Sequence, residues 1–314
     1  MNNVVEIEQP LNQQQVIDQL KPLLEDGTIN QTQLAKEIGK SDAVISEYLN
    51  GKYTGRVAYV TEQLSKWLQM RNARKSQVVA PSFVETHTAK QIINALSYAH
   101  AAELISVVFG ASGVGKTTTC RQYISNNNNC WMITVSPAVS GIGECLYEIA
   151  LELGMDDAPK RKGSLSRAIK RRLIGTGGLL IVDEADHLDY PSLEALRILQ
   201  EQTGIGMVLV GNNRVYSQLT GGRRNEDFAR LFSRVSKKVG IHKAKQNDVN
   251  AIANAWGISN QAAIKLLQMI AEKPGALRLL NQVLRLASIM ANGAGKAIDE
   301  SLIKAAFRDL EGDA

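Results

Sequence analysis

The sequence predicts an α/β core, a parallel sheet with helices on both faces, set between a helical segment at each end of the chain. Three observations carry this. Short apolar runs rich in β-branched residues alternate with helix-periodic stretches between Ile105 and Ile241, the pattern of strands buried on both faces. The first run leads directly into Gly110-Ala-Ser-Gly113-Val-Gly115-Lys116-Thr117, which fits G-x-x-x-x-G-K-[ST] between a strand and a helix. Outside that span, in 9–70 and after 246, the apolar residues recur at helical spacing without strand-like runs,.

Taken in order, residues 1–70 read as short helices broken by polar turns, with Leu20, Leu34, Ile38, Ile45, Tyr48, Leu64 and Leu68 on their inner faces. Within them, Thr32 to Gly51 reads as a helix-turn-helix: Ala35 is small where two helices cross, Gly39 supplies the turn, Ser41 caps the second helix and Ile45 packs back,. The exposed face of that second helix would offer Asp42, Ala43, Ser46 and Glu47, which is poor in bases. Groove reading and a helical docking role therefore both stay open. Polar, basic Arg71–Gln77 and then Val79-Ala-Pro81 predict a linker over 71–85,. Predicted strands follow at Ile105–Phe109, Trp131–Val135, Leu179–Val182, Met207–Val210 and Lys238–Ile241, with helices near Lys116–Ile124, Gly143–Leu153, Ser164–Leu173 and Ser192–Gln200. That core spans 86–245. From 246 to 314 only helices are expected, over Ala251–Trp256, Gln261–Ala271, Ala276–Met290 and Glu300–Leu310.

Composition excludes several classes. With 44% hydrophobic and 21% charged residues among 314, the chain is neither disordered nor fibrous,. No apolar run approaches the ~18 residues of a membrane span, and the first residues show no signal-like segment, so no membrane partner is expected. Cys120, Cys130 and Cys145 are odd in number and lack Cys-x-x-Cys spacing. They argue against a disulfide scaffold or zinc site and for a reducing compartment, the cytoplasm. A net charge of +5 permits nucleic-acid binding without arguing for it,.

The chemistry begins at the glycine-rich loop. Gly110, Gly113 and Gly115 let backbone N–H groups wrap phosphates, and the helix that follows favours their charge. Ser112, Val114, Lys116, Thr117 and Thr118 complete a nucleotide cradle, with Lys116 for the β/γ-phosphates of ATP and Thr117 for Mg²⁺. Leu179-Leu-Ile-Val-Asp183-Glu184 is an apolar strand ending in acids. Asp183 suits the Mg²⁺ shell and Glu184 the attacking water. Standing alone, such acids would read as a solvated strand end; the phosphate loop upstream changes that. Asn212, after the next strand, could reach between γ-phosphate and water or simply cap a helix. Arg234, on a segment read as helical, could contact a γ-phosphate or sit in a surface ion pair, and Arg223, Arg224 and Arg230 compete with it. Arg278 could close over the nucleotide or be a solvated helix charge.

A second feature is basic. Lys160, Arg161 and Lys162, then Arg167, Lys170, Arg171 and Arg172, run from a loop bounded by Pro159 and Gly163 along a helix, with no acid between Asp157 and Asp183. Such a ridge can track phosphates without reading bases, or it can be an ordinary solvated face. No aromatic interleaves it, which speaks against base stacking and for a duplex backbone.

Together these residues resemble the AAA+ ATPases over about 90–290. Lys116 and Thr117 match the Walker A positions and Asp183 and Glu184 the Walker B pair. Asn212 looks like the first sensor, Arg234 like an arginine finger given in trans, and Arg278 like the second sensor of a C-terminal helical lid. In that family, loops placed like 159–163 often face a central pore or groove. More narrowly, the order of segments resembles the target-DNA ATPases of transposing phages, from the helix-turn-helix through Asp183-Glu-Ala-Asp-His187 and Phe228–Arg234 to Lys273-Pro-Gly-Ala-Leu-Arg278. This implies largely non-specific, ATP-dependent binding of double-stranded DNA and self-association into a helical filament on it. It also implies delivery of that DNA to a cognate transposase in a bacterial host cell. Two rivals share these motifs: a helicase loader or replication initiator, and a helix-turn-helix repressor with a vestigial nucleotide fold. Intact Lys116, Thr117, Asp183 and Glu184 count against the second, and no separate acidic triad supports a nuclease.

Overall fold

The computed structural model describes residues 11–75, 80–220 and 234–312. The chain divides into two compact units, Met1–Val79 and Ala80–Ala314, so the nucleotide core and the C-terminal helices form one unit.

The first unit holds α1 (Gln13–Glu25), α2 (Gln31–Glu37), α3 (Asp42–Leu49) and α4 (Val57–Lys75) around Leu20, Leu34, Ala35, Ile45, Tyr48 and Leu64. Gly39 makes the turn between α2 and α3 at φ 66°, and Ala35 and Ile45 are fully buried. Ser41 stands at the N-cap but makes no side-chain capping bond. The start of α3 is held instead by the Thr32 hydroxyl, which donates to Asp42 at 2.6 Å, and by the Gln31 amide, which donates to the Asp42 carbonyl at 2.9 Å. Helix α4 runs on through Lys75, into the stretch read as linker; Arg and Lys are good helix formers, so basic composition did not end it.

The second unit opens with α5 (His87–Ala102), which the sequence reading missed. Its signals were present: Thr86 accepts the Ala89 N–H as N-cap, and Ala89, Ile92, Ala95, Leu96 and Ala99 recur at helical spacing,. Five parallel strands follow in the order β2-β3-β4-β1-β5: β1 (Ile105–Gly110), β2 (Cys130–Thr134), β3 (Leu179–Asp183), β4 (Gly206–Gly211) and β5 (Val235–Ile241). Between them lie α6 (Lys116–Asn126), α7 (Ile142–Glu152), α8 (Lys162–Leu173), α9 (Tyr190–Thr203) and α10 (Asn213–Thr220). Alternate strand residues feed opposite faces. Val107, Phe109, Leu180, Val182 and Met207 pack with α7, α8 and α9, whereas Val108, Ile181, Val208 and Val210 pack with α5 and α6. Edge strand β5 begins three residues before its predicted start, because exposed Ser236 and Lys238 hide its alternation.

Past β5, α11 (Gln246–Ala255), α12 (Gln261–Ala271), α13 (Ala276–Gly293) and α14 (Glu300–Glu311) enclose Ile252, Leu267, Leu280, Leu284 and Ile303. Helix α11 is tied to α5: fully buried Asp248 accepts the Thr88 backbone N–H at 3.0 Å and the Thr88 hydroxyl. Among the described residues no helix is long and apolar enough to cross a membrane.

Candidate nucleotide site and basic ridge

Parallel register brings the chemistry to one end of the sheet. Phe109 lies beside Gly211, and Thr134 beside Asp183, so the segments leaving β1, β3 and β4 emerge together. Gly110, the last residue of β1, and Gly113, in the loop that follows, leave no room for a side chain. A Cβ on Gly110 (φ 141°) would stand 1.9 Å from the Ile241 carbonyl oxygen, and one on Gly113 (φ 78°) 2.0 Å from that of Gly275. The loop is thus seated between the end of β5 and the turn before α13. Gly115 (φ 94°) caps α6 without a side chain, leaving the first N–H groups of that helix able to meet an anion.

The Lys116 ammonium donates to the carbonyls of Gly110 (2.9 Å) and Ala111 (2.8 Å). Burial holds it below its ordinary pKa of 10.5, against the opposing pull of Glu184, Asp183 and Asp186, while nearby Arg278 pushes it the same way as burial. The Thr117 hydroxyl donates to Asp183 at 2.7 Å, and Asp183 is only 2% exposed. Glu184 takes a left-handed backbone (φ 53°), an uncommon conformation for a residue with a side chain and one that clusters at functional sites.

These groups border a cavity of about 390 Å³, lined by Ser112 to Thr119, Glu184 and, from α13, Arg278, Asn281, Gln282 and Arg285. Its size and mixed lining suit a nucleotide. Pro81 to Val84 and Ile252 line it as well. Neither is expected from the sequence: the first stretch falls in the linker predicted over 71–85, and nothing local marks Ile252 as facing a loop about 140 residues upstream.

Asn212 does not line this cavity among the described residues. Its amide nitrogen donates to Asp186 at 2.6 Å, and its oxygen accepts the Arg214 N–H at 2.7 Å, so the helix-start bond left open by the sequence is made. Arg234 lies in a turn immediately before β5, not on a helix, and pairs with Glu201 at 3.1 Å. Because Ile105 pairs with Val235 and Gly110 with Ile241, Arg234 sits about 20 Å along the sheet from its own phosphate loop,. Arg223, Arg224, Arg230 and residues 228–233 lie outside the described residues.

The basic run lies mainly on α8. Leu165, Ile169 and Leu173 are its buried stripe, while Lys160, Arg161, Lys162, Arg167, Arg171 and Arg172 are exposed and Lys170 is half-buried. Lys162 opens the helix instead of ending the loop, and its stem lies over Gly143. Among the described residues none of these seven bases is in an ion pair.

Comparison with known proteins accords with this arrangement. Residues 99–219 match the AAA domain family, and 233–310 the family described as Mu B transposition protein, C terminal. The chain is 51% identical over 294 residues to the ATP-dependent target DNA activator B of Escherichia phage Mu, covering 94% of each. It is 47% identical over 270 residues to the Mu-like prophage FluMu DNA transposition protein B of Haemophilus influenzae, covering 85% of this chain and 94% of the relative. A solved structure of Drosophila ORC bound to DNA matches with a TM-score of 0.52 at 15% identity, over 78% of this chain and 67% of that one, a likeness of fold alone. The phosphate loop, the acids at the end of β3 and the close likeness along nearly the whole chain lead to one conclusion: this chain is an AAA ATPase belonging to the Mu B transposition protein family.

Proposed function

We propose that this ATPase is an activator of target DNA for transposition in the cytoplasm of a bacterial host. It binds duplex DNA largely without sequence preference, assembles along it as an ATP-dependent helical oligomer and delivers it to a cognate transposase. The observation that carries the reading is the row of bases on α8 that make no ion pair among the described residues, in a chain whose relatives are named target DNA activators. Charges not neutralised by an acid are free to replace the counterions of a phosphate backbone.

In this reading the N–H groups of the loop, Lys116 and Arg278 hold the ATP phosphates. A hydroxyl and a carboxylate already in contact, Thr117 and Asp183, form the oxygen pair a hard cation prefers,. They would hold Mg²⁺, which when bound neutralises charge on the phosphates. Glu184 takes the proton of a water as its oxygen bonds to the γ-phosphorus and the bond to the β-phosphate oxygen breaks, releasing ADP. Asn212 steadies that water. Arg234, remote from its own loop, serves the nucleotide of a neighbouring subunit. A finger in trans puts ATP at a head-to-tail junction, which closes a ring or runs on as a helix, and a helix suits a protein that coats DNA of any length.

The test is DNA binding by Arg161→Ala/Arg171→Ala, two exposed bases outside the buried stripe of α8. Binding to random and defined duplexes should weaken alike, and the slope of log affinity against log salt should fall by roughly 0.9 per lost phosphate contact. Unchanged binding, or a loss confined to one sequence, refutes the ridge as the backbone-tracking element.

A further inference from the structure

Of the three acids in the segment Asp183–Asp186, two have a part in the proposed hydrolysis, Asp183 and Glu184. Asp186, in the 3₁₀ turn Ala185–His187, is 4% exposed. A buried carboxylate is costly unless bonded, and Asn212 donates to both of its oxygens. Oδ1 takes the backbone N–H of Asn212 at 3.2 Å, and Oδ2 takes its side-chain amide at 2.6 Å. The approach is close: a Cβ on Gly211 would stand 2.6 Å from Asp186 Oδ1.

The consequence lies in the Asn212 side chain. Its oxygen is occupied by the Arg214 N–H, so the donor and acceptor ends of the amide are both assigned and a flip would break both bonds. An amide nitrogen carries two N–H groups. Asp186 takes one, and among the described residues the other meets no acceptor. A charge-assisted bond of this kind is stronger than a neutral one, which suits a fixed donor better than a mobile one.

We propose that Asp186 is a positioning residue for ATP hydrolysis, acting through Asn212 by holding its amide in one orientation with one N–H left for the substrate side. This rests on the reading of Asn212 as the group that steadies the attacking water.

The test is steady-state ATP turnover with duplex DNA for Asp186→Asn, Asp186→Ala, Asn212→Ala and Asn212→Ala/Asp186→Asn, with melting temperatures measured beside it. Losing one preorganised donor typically costs about 10²–10³ in kcat, and that loss is expected for Asn212→Ala. Asp186→Ala should match it. Asp186→Asn, isosteric and still able to accept one of the two bonds, should lose less. KM for ATP should stay within about threefold in all, since the loss falls on a transition-state contact. In the Asn212→Ala background, Asp186→Asn should change kcat no further. An equal effect of Asp186→Asn in both backgrounds overturns the proposal, as does a KM that rises in step with the fall in kcat. Full turnover by Asn212→Ala removes the reading of Asn212 and the proposal with it. A slow Asn212→Ala beside fully active Asp186 variants removes the proposal alone. Should Asp186→Ala not fold, the isosteric Asp186→Asn carries the comparison.

Discussion

Arg234→Ala separates catalysis from stability because the two effects differ so widely in size. In the free chain Arg234 pairs only with Glu201 among the described residues, and these side chains are 60% and 42% exposed. An ion pair so open to water contributes about 0–1 kcal/mol, so the variant should fold and melt like the parent. An arginine acting on a transferring γ-phosphoryl group is worth roughly 10³–10⁵ in rate, or about 4–7 kcal/mol. A large loss of turnover at unchanged melting temperature therefore cannot come from unfolding. Nor can it come from the subunit's own pocket, about 20 Å away along β5,. The assay mixes equal amounts of Arg234→Ala and Lys116→Ala, each inactive alone, and follows ATP turnover on duplex DNA. At a mixed junction one subunit supplies an intact pocket and the other supplies the arginine. With random mixing about one junction in four is complete, so turnover should recover to about a quarter of the parent's. Sedimentation of the DNA complexes shows whether both variants are incorporated. Full activity of Arg234→Ala alone would refute the reasoning and move the role to Arg223, Arg224 or Arg230. A mixture that co-assembles yet stays inactive would refute it as well.

Three further outcomes are expected. Glu184→Gln should keep nucleotide affinity within a few-fold but slow hydrolysis by about 10²–10⁴, prolonging DNA complexes; parent-like turnover would end its assignment as base. Gly113→Ala should cost far more in melting temperature and nucleotide affinity than Gly115→Ala. Both strain a left-handed backbone by about 1–3 kcal/mol, but only the Cβ at 113 strikes the Gly275 carbonyl, whereas the one at 115 meets nothing within 4 Å; equal losses would contradict the close seating of the loop. Finally, Lys116 starts below 10.5 in the free protein, and phosphates would raise it again. Nucleotide binding should then take up a proton in the window between the lowered value and the raised one, and affinity should fall as pH rises through the lowered value. Calorimetry in buffers of different ionisation enthalpy reads that uptake, and Lys116→Ala should abolish it.

What could be read from the residues alone was whatever lies close along the chain. The phosphate loop, the apolar strand ending in Asp183 and Glu184, the basic run and the strand–helix alternation are each contiguous, and the backbone geometry of a loop or strand is set by neighbours a few residues away. Where local signals conflicted, the reading failed. Basic residues at the end of α4 passed for linker, the polar start of β5 hid an edge strand, and Ser41 looked like a cap that tertiary contacts from α2 made unnecessary. Only the folded chain could bring Pro81 to Val84 and Arg285 to the loop that begins at Gly110, lock Asn212 onto Asp186, or set Arg234 at the opposite end of the sheet from its own nucleotide site. Those relations depend on the strand order β2-β3-β4-β1-β5 and on the parallel register of β5 against β1. Pairing between strands more than a hundred residues apart is chosen by the burial of both sheet faces at once, and no periodicity within a single segment records which partner that burial selects.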